Sequence, residues 1–408
     1  MEFKHANLDN GLSIVAEVRD TAASMAAGLF VRTGSRDEAP HVLGVSHFLE
    51  HMMFKGTPRR TALDVNREFD ELGANYNAFT SEENTVYYGA VLPEFQDRLL
   101  ELLCDILRPS LRREDFDLEK NVILEEIARY EDLPRYRVCE LLMAEHFGSH
   151  PLGHSVLGTA ASVRALRRED MQAYFERRYS PGNVILVAAG RVDFDALVAK
   201  AAEMCSHWQP YDVTRDTRSP PAAARRRVHA DPSVARQHVG LASPAPAGQD
   251  EDRYAATLAA TVIGDATGSR LFYALVDPAI ADEATTAYNA FDGGGAFLTF
   301  LSADPDRAAE AVRIARDELS GFLDAGPTEA ELLAAKNKIA SGATLKGELP
   351  MGRLTAVGYD WVYRKEYVPL PEQIDTLFAV RAQEVLRVAR AYDLTSATLV
   401  ALGPLEEL

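Results

Sequence analysis

Alternating and helical patterns of apolar residues divide the chain into strands and helices. LSIVAEV (12–18), MAAGLFVRTG (25–34) and TVYYGAVL (85–92) have the alternating or continuous apolar pattern of strands. FQDRLLELLCDIL (95–107) and REDFDLEKNVILEEIARYED (113–132) carry apolar residues at helical spacing. Strands and helices do not alternate strictly, so the pattern favours an α+β fold over a doubly wound parallel sheet.

Two pairs of similar segments indicate an internal duplication. YSPGNVILVAAG (179–190) matches YDLTSATLVALG (392–403), and LEKNVI (118–123) matches AAKNKI (334–339) in the same order. Between the two halves, a stretch rich in proline, arginine and small residues lacks apolar periodicity. We therefore predict an N-terminal domain over 1–210, a linker over 211–228 and a homologous C-terminal domain over 229–408.

Composition limits the classes of function. The net charge of −18 makes nucleic acid an improbable partner, and no run of eighteen apolar residues predicts a membrane span. The first residues show no signal-peptide pattern, and the three cysteines are scattered without paired spacing. We expect a cytoplasmic protein without a disulfide framework or a thiolate zinc site.

The segment HFLEH (47–51) is a candidate metal site. His47 and His51 are four residues apart, so on a helix they share one face and can present two imidazoles to one ion. Glu50 is three residues after His47, beside the same face, and need not bind the ion. Two such histidines occur more often without a metal, but apolar flanks that bury the pair with a carboxylate favour a site.

A third ligand is expected on a neighbouring helix. Glu119 and Glu126 are two helical turns apart and share a face with Val122 and Ile123, which is unusual for a solvated surface. Glu125 points elsewhere and is interpreted as a surface glutamate.

Other metal chemistries fit less well. His146, His150 and His154 lie in HFGSHPLGH, where glycine and proline break helices, so we interpret them as loop or capping residues. A di-iron site needs two E-x-x-H helices, and the E-x-x-H at Glu38 contains Pro40.

Over nearly its whole length the chain resembles the pitrilysin or insulinase family of zinc peptidases, the inverzincins, which includes the mitochondrial processing peptidase. The resemblance rests on H-x-x-E-H and on TGSRDE, GVSHFLEHMMFKGT, LGANYNAFTSEENTVYY, EKNVILEEI, HPLGHSVLG, RRYSPGN and, in the second half, GSRLF. It implies two α+β domains per chain, each a sheet with helices on one face. It also implies that a half-length chain dimerises into a clam-shell chamber.

The family's site residues transfer to matching positions. His47, His51 and Glu126, the last glutamate of V-I-L-x-E, would hold one Zn²⁺ per chain. Glu50 would be the general base and acid of peptide-bond hydrolysis, and Glu119 would support the site. Asn77 and Ala78 would lie on an exposed edge strand that pairs with an extended peptide substrate.

The second half departs from the family pattern. In many relatives an arginine and a tyrosine, seven residues apart after SRLF, stabilise the oxyanion, but the corresponding residues here are Val276 and Glu283. The second half also lacks H-x-x-E-H. We therefore predict a heterodimer with a zinc-less paralogue that supplies Arg and Tyr. The alternative is a homodimer in which Tyr273 or Tyr288 substitutes.

A different class of function also remains open. Some relatives are scaffold or regulatory subunits of larger complexes, and those typically lose zinc ligands. This chain retains every ligand and the base, so the resemblance favours a zinc endopeptidase over a non-catalytic subunit of a processing-peptidase-like complex.

Overall fold

The computed structural model describes residues 1–218 and 224–408. In chain order its strands and α-helices are β1 (Glu2–Asn7), β2 (Ser13–Val18), β3 (Met25–Val31), α1 (Val45–Met53), α2 (Ala62–Glu71), β4 (Asn75–Thr80), β5 (Thr85–Val91), α3 (Gln96–Ile106), α4 (Arg113–Glu131), α5 (Pro134–Phe147), α6 (Ala160–Ala165), α7 (Arg168–Arg178), β6 (Val184–Gly190), α8 (Phe194–Cys205), β7 (Arg226–Ala230), β8 (Gln237–Ala245), α9 (Arg253–Gly264), β9 (Glu283–Phe291), β10 (Gly294–Ala303), α10 (Ala308–Ala325), α11 (Glu329–Gly347), α12 (Pro350–Arg364), α13 (Leu370–Ala379), α14 (Ala382–Ala391) and β11 (Thr398–Gly403). A short π-helix covers Phe272–Val276. Residues 219–223 of the predicted linker lie outside the described residues.

The strands and helices predicted from apolar patterning are present, which confirms the α+β class. The predicted strands correspond to β2, β3 and β5, and the predicted helices to α1, α3 and α4. Element ends differ by one to three residues, as fraying ends commonly do.

The chain divides into two compact units. Unit 1 comprises residues 1–127, 154–216 and 344–368, and unit 2 comprises residues 128–153, 217–343 and 369–408. The division does not follow the predicted boundaries in two places. Helix α5 lies in the N-terminal half of the sequence but packs in unit 2, and α12 lies in the C-terminal half but packs in unit 1. Both helices begin at a proline, Pro134 and Pro350.

Unit 1 is built on a six-stranded sheet with the order β1-β2-β6-β3-β5-β4. Helix α12 packs on one face, where Leu354, Val357 and Trp361 meet Phe30 and Ile185. The approach is close, because a Cβ added to Gly358 would lie 2.3 Å from the ring of Phe30. Helices α1, α3 and α8 contact strands of the same sheet.

Unit 2 is built on a five-stranded sheet with the order β7-β11-β8-β10-β9. Helix α5 packs on one face, where Val138 and Leu142 meet Ala242, Phe300 and Leu402. A larger apolar cluster includes residues from α9, α10, α14 and the sheet.

Two expectations about these units are wrong. Each sheet carries helices on both faces rather than one, because the α5 and α12 segments add a layer from the other half of the sequence. His146 is not a loop residue, since it lies buried in the last turn of α5. Within the described part of the chain, no helix is long and apolar enough to cross a membrane.

Candidate metal centre

Helix α1 brings the two histidines and the glutamate of HFLEH together. It begins after Gly44, whose φ of +89° lies in the left-handed region that glycine adopts readily. Its apolar face, with Phe48, Leu49 and Met52, is buried. Burial of that face fixes the rotation of the helix, so His47, Glu50 and His51 keep a common direction.

Three side chains that could bind one metal ion converge between α1 and α4. His47 Nε2 lies 3.7 Å and His51 Nε2 3.5 Å from the same carboxylate oxygen, Oε2 of Glu126. One potential ligand atom from each residue lies within 4.8 Å of the others. Two ligands of one tetrahedral zinc ion lie about 3.3–3.6 Å apart, since each is about 2.0–2.2 Å from the metal. The spacing therefore fits a zinc site.

His47 is suited to bind a metal as a neutral imidazole. The residue is only 8% exposed, and its buried Nδ1 has no hydrogen-bond partner among the described residues. Burial is the main cause that lowers the pKa of His47 to about 3, and the positive charge of His51 is the smaller cause. The uncharged ring keeps a lone pair available at neutral pH.

Glu119 orients His51. The Nδ1–H of His51 donates to Oε1 of Glu119 at 2.9 Å, which leaves Nε2 directed at Glu126. Lys55 Nζ contacts the other oxygen of Glu119 at 2.6 Å. Burial raises the pKa of Glu119, but the hydrogen bonds and positive charges of His51 and Lys55 outweigh it, and the pKa falls below 4.5. Glu119 is thus an ionised carboxylate that sets the tautomer of a ligand.

Glu50 lies beside the histidines without bonding to them. Its Oε2 accepts a hydrogen bond of 2.6 Å from Oγ1 of Thr80, the last residue of β4. Burial raises the pKa of Glu50, although the Thr80 hydrogen bond and the charge of His51 act in the opposite direction. A carboxylate with a raised pKa is a better proton acceptor near neutral pH.

Asn77 and Ala78 lie on β4, which is an edge strand of the unit 1 sheet. Asn77 is exposed and Ala78 half-buried, and the side-chain oxygen of Asn77 accepts a hydrogen bond from the Ala78 amide. The strand also contacts α1, so the sheet edge lies next to the metal-binding helix. Tyr87 and Tyr88 on the paired strand β5 pack inward, as expected for core residues.

Val276 and Glu283 stand where many relatives have an arginine and a tyrosine, and both contact other residues of unit 2. Val276 ends the π-helix and packs against the apolar cluster of unit 2. Glu283 begins β9 and forms an ion pair with Arg135 of α5. Tyr288 donates its hydroxyl to the carbonyl of Pro246, whereas Tyr273 is 64% exposed. Of the two substitutes considered, Tyr273 is the one without a structural hydrogen bond.

Three residues that contact the candidate site or the helix that carries it were not predicted from the sequence. Lys55 lies in the turn just after α1, which brings it next to Glu119 beside His51. Thr80 is two residues after Ala78, so both side chains lie on the same side of β4. Glu38 accepts hydrogen bonds from the backbone amides of Gly44 and Ser46 at the start of α1, a contact with no sequence signal.

The chain is similar to known proteins in sequence and in structure. The family model described as Insulinase (Peptidase family M16) matches residues 14–160, and the model described as Peptidase M16 inactive domain matches residues 165–339. A protein of Mycobacterium tuberculosis named an uncharacterized zinc protease is 32% identical over 95% of this chain and 90% of its own length.

Two solved structures share the fold. A protease from Helicobacter pylori superposes with a TM-score of 0.91 at 22% identity, covering 99% of both chains. A peptidase M16 inactive domain from Pseudomonas fluorescens has a TM-score of 0.90 at 19% identity, covering 100% of this chain and 99% of the other. At these identities the structures establish the fold alone.

Proposed function

Because the chain belongs to the insulinase family, peptidase family M16, we propose that it is a zinc-dependent endopeptidase that hydrolyses unfolded oligopeptides. The observation that carries the proposal is the convergence of His47, His51 and Glu126 beside a half-buried Glu50. Relatives that are named zinc proteases support zinc as the metal, with one ion per chain.

His47, His51 and Glu126 would hold the zinc, and binding would release the proton of His51. Two imidazoles and one carboxylate would then leave a fourth position open. Bound zinc supplies Lewis acidity, which brings the pKa of a water molecule toward about 7. The His51 ring is held in the required tautomer by Glu119, and Lys55 keeps Glu119 ionised.

Glu50 transfers the protons of the reaction. Its carboxylate accepts a proton from the attacking water and returns it to the leaving amine. The raised pKa of Glu50 favours both halves of this exchange, because the acid and base forms are then closer in free energy at neutral pH.

The exposed edge of β4 is the proposed docking surface for the substrate. An extended peptide that adds a strand beside Asn77 and Ala78 is held through its backbone, which does not require a particular sequence. A folded protein does not offer such a free strand, so unfolded oligopeptides are the expected substrates.

A zinc-less paralogous subunit is the proposed partner. The absence of an oxyanion donor at Val276 and Glu283 supports a split active site, in which the partner supplies an arginine and a tyrosine. The alternative partner is a second copy of this chain, with exposed Tyr273 as the donor.

The test is hydrolysis of a quenched fluorescent peptide by the zinc-loaded chain, alone and mixed with a zinc-less paralogue. Glu50→Gln is the control, because it keeps the shape of the site and removes the base. Activity that appears only in the mixture and is lost in the variant supports the split site. Activity of the chain alone contradicts the heterodimer but supports the peptidase. If neither preparation hydrolyses the peptide although zinc is bound, the result contradicts the peptidase function and favours the scaffold function.

A further inference from the structure

The hydroxyl of Thr80 is the group that holds the proposed base. Among the residues that the structure describes, Thr80 is the only hydrogen-bond partner of the Glu50 carboxylate, at 2.6 Å. We propose that Thr80 is a positioning residue, which fixes the orientation of Glu50 for proton transfer. The inference rests on the proposed peptidase function and names a further residue of the same site.

Glu50 needs such a partner for two reasons. A glutamate side chain has several rotatable bonds, and its orientation is fixed only by packing or by hydrogen bonds. Glu126 carries the same charge nearby and repels it. A hydrogen-bond donor keeps the carboxylate in one place against that repulsion.

The end of β4 that carries Thr80 is itself firmly anchored. The turn that joins β4 to β5 is bound to the loop over 33–38: the amide of Arg36 donates to the carbonyl of Glu82 at 2.8 Å. The guanidinium of Arg36 pairs with Glu83 at 2.6 Å, and both side chains are almost fully buried. Across the turn, the hydroxyl of Thr85 donates to the carbonyl of Thr33 at 2.9 Å.

The same loop anchors the helix that carries Glu50. Glu38 accepts hydrogen bonds from the amides of Gly44 at 2.6 Å and Ser46 at 2.7 Å. The side-chain oxygens of Glu38 thus satisfy two amides at the helix N-terminus that have no partner within the helix. Because one loop holds both α1 and the end of β4, the fold itself sets the distance between Thr80 and Glu50.

This arrangement also relates the base to the docking edge. Ala78 and Thr80 lie two residues apart on one side of β4. A peptide that pairs with β4 is therefore placed by the same strand that places Glu50. Loss of the Thr80 hydroxyl is expected to disturb the chemical step and to leave docking and zinc binding intact.

The experiment compares Thr80→Val, which keeps the branched shape without the hydroxyl, with Thr80→Ser, which keeps the hydroxyl. Steady-state kinetics are measured in the preparation that hydrolyses the peptide, with zinc content and crystal structures of the zinc-loaded variants. Thr286→Val is the matched control, since it removes a hydroxyl from the cross-strand pair Thr286–Thr299 of the unit 2 sheet.

For Thr80→Val, we expect kcat to fall about 10- to 100-fold, with KM within about twofold and zinc content unchanged. Thr80→Ser should recover most of kcat, Thr286→Val should match the wild type, and Glu50 should leave its wild-type position only in Thr80→Val. An unchanged kcat, or a loss of zinc or of substrate affinity that explains the defect, overturns the role of Thr80. A wild-type preparation that binds zinc and cleaves nothing overturns the proposed function instead.

Discussion

Unit 1 and unit 2 contain the same arrangement of five strands. The order β2-β6-β3-β5-β4 in unit 1 corresponds to β7-β11-β8-β10-β9 in unit 2, and unit 1 adds β1 at one edge. In each unit the first two strands of that order are parallel and the remaining pairs are antiparallel. The duplication indicated by two short matches in the sequence thus extends to the topology of both sheets.

The chemistry of the units differs at a few positions. The alignment of LEKNVI with AAKNKI pairs α4 with α11, and it places Ala335 opposite Glu119 and Gly342 opposite Glu126. Helix α9, which follows β8 as α1 follows β3, contains no histidine or glutamate. Within the described residues, the single cluster suited to a metal is that of unit 1. The two units therefore share one fold, and a few side chains determine whether it carries a candidate metal site.

Helices α5 and α12, the exchanged helices, each pack in the unit formed mainly by the other half of the sequence. Their ion pairs differ in exposure. Arg353 on α12 pairs with Glu17 of β2 at 2.6 Å, and both side chains are at most 5% exposed. By the same alignment the counterpart of Arg353 is Arg137 on α5, which pairs with Asp231 after β7 at 2.7 Å but is 39% exposed. Equivalent arginines thus form a buried ion pair in one unit and a more exposed one in the other.

The largest expected effect is the loss of folding stability when the buried ion pair of unit 1 is broken. Arg353→Met leaves the charge of Glu17 buried without its main partner and should cost about 3–5 kcal/mol. Arg137→Met is the matched control and should have little effect, because solvent screens the exposed pair. Urea unfolding followed by far-ultraviolet circular dichroism is suitable, because the helices and strands of both units contribute to the signal. Equal midpoints for the two variants would contradict the prediction.

The ion pair between Arg353 and Glu17 also predicts that folding stability depends on pH. Burial raises the pKa of Glu17, but the hydrogen bonds and charge of Arg353 outweigh it, so the pKa lies below 4.5 in the folded chain. The stabilisation is therefore complete above about pH 4.5 and is lost as the pH falls through the lowered value. The difference between wild type and Arg353→Met should shrink in that range, as measured by unfolding curves at a series of pH values.

Adding the missing donors to unit 2 sharpens the comparison. The double substitution Val276→Arg and Glu283→Tyr restores the arginine and tyrosine expected from the family pattern. If their absence is what requires a partner, chain-alone turnover should rise by about 10²- to 10³-fold, the usual contribution of an oxyanion donor. Peptide hydrolysis and the melting temperature are measured together, with each single substitution as a control. A stable double variant with unchanged chain-alone turnover would refute the split site.

The smallest expected effect concerns the support of the metal. Glu119→Gln removes the charge that orients His51 and should weaken zinc binding about 10- to 100-fold. Glu125→Gln on the same helix is the control, because that side chain is exposed and six residues further along. Competition with a chromophoric chelator measures the zinc affinity. Indistinguishable affinities of the two variants would show that Glu119 has no such role.

The sequence predicts which candidate residues share a helix face, because their spacing within each helix is local. His47, Glu50 and His51 lie within two turns of one helix, so helical periodicity places them on adjoining faces. The same periodicity selects Glu119 and Glu126 over Glu125. These relations need only the geometry of an isolated helix, and the structure keeps them.

Contacts between distant segments are not predictable in this way. Thr80 meets Glu50 because an edge strand passes the helix, and Glu38 reaches the start of α1 through a loop. Likewise, Pro134 and Pro350 mark the starts of α5 and α12, but not the sheets that these helices cover. Several sheet faces of similar apolar character compete for such a helix, and the sequence pattern is the same for each.

The amino-acid sequence by itself determined the α+β class, the internal duplication, the family resemblance and, through that resemblance, the candidate ligands His47, His51 and Glu126. These follow from periodicity, spacing or motif, which can be recognised without knowing how the chain packs. Only the tertiary structure decided which sheet each exchanged helix covers, which ion pair is buried, and which hydroxyl holds Glu50. Those outcomes depend on how the chain packs on itself, where free energy comes from contacts between residues far apart in the sequence.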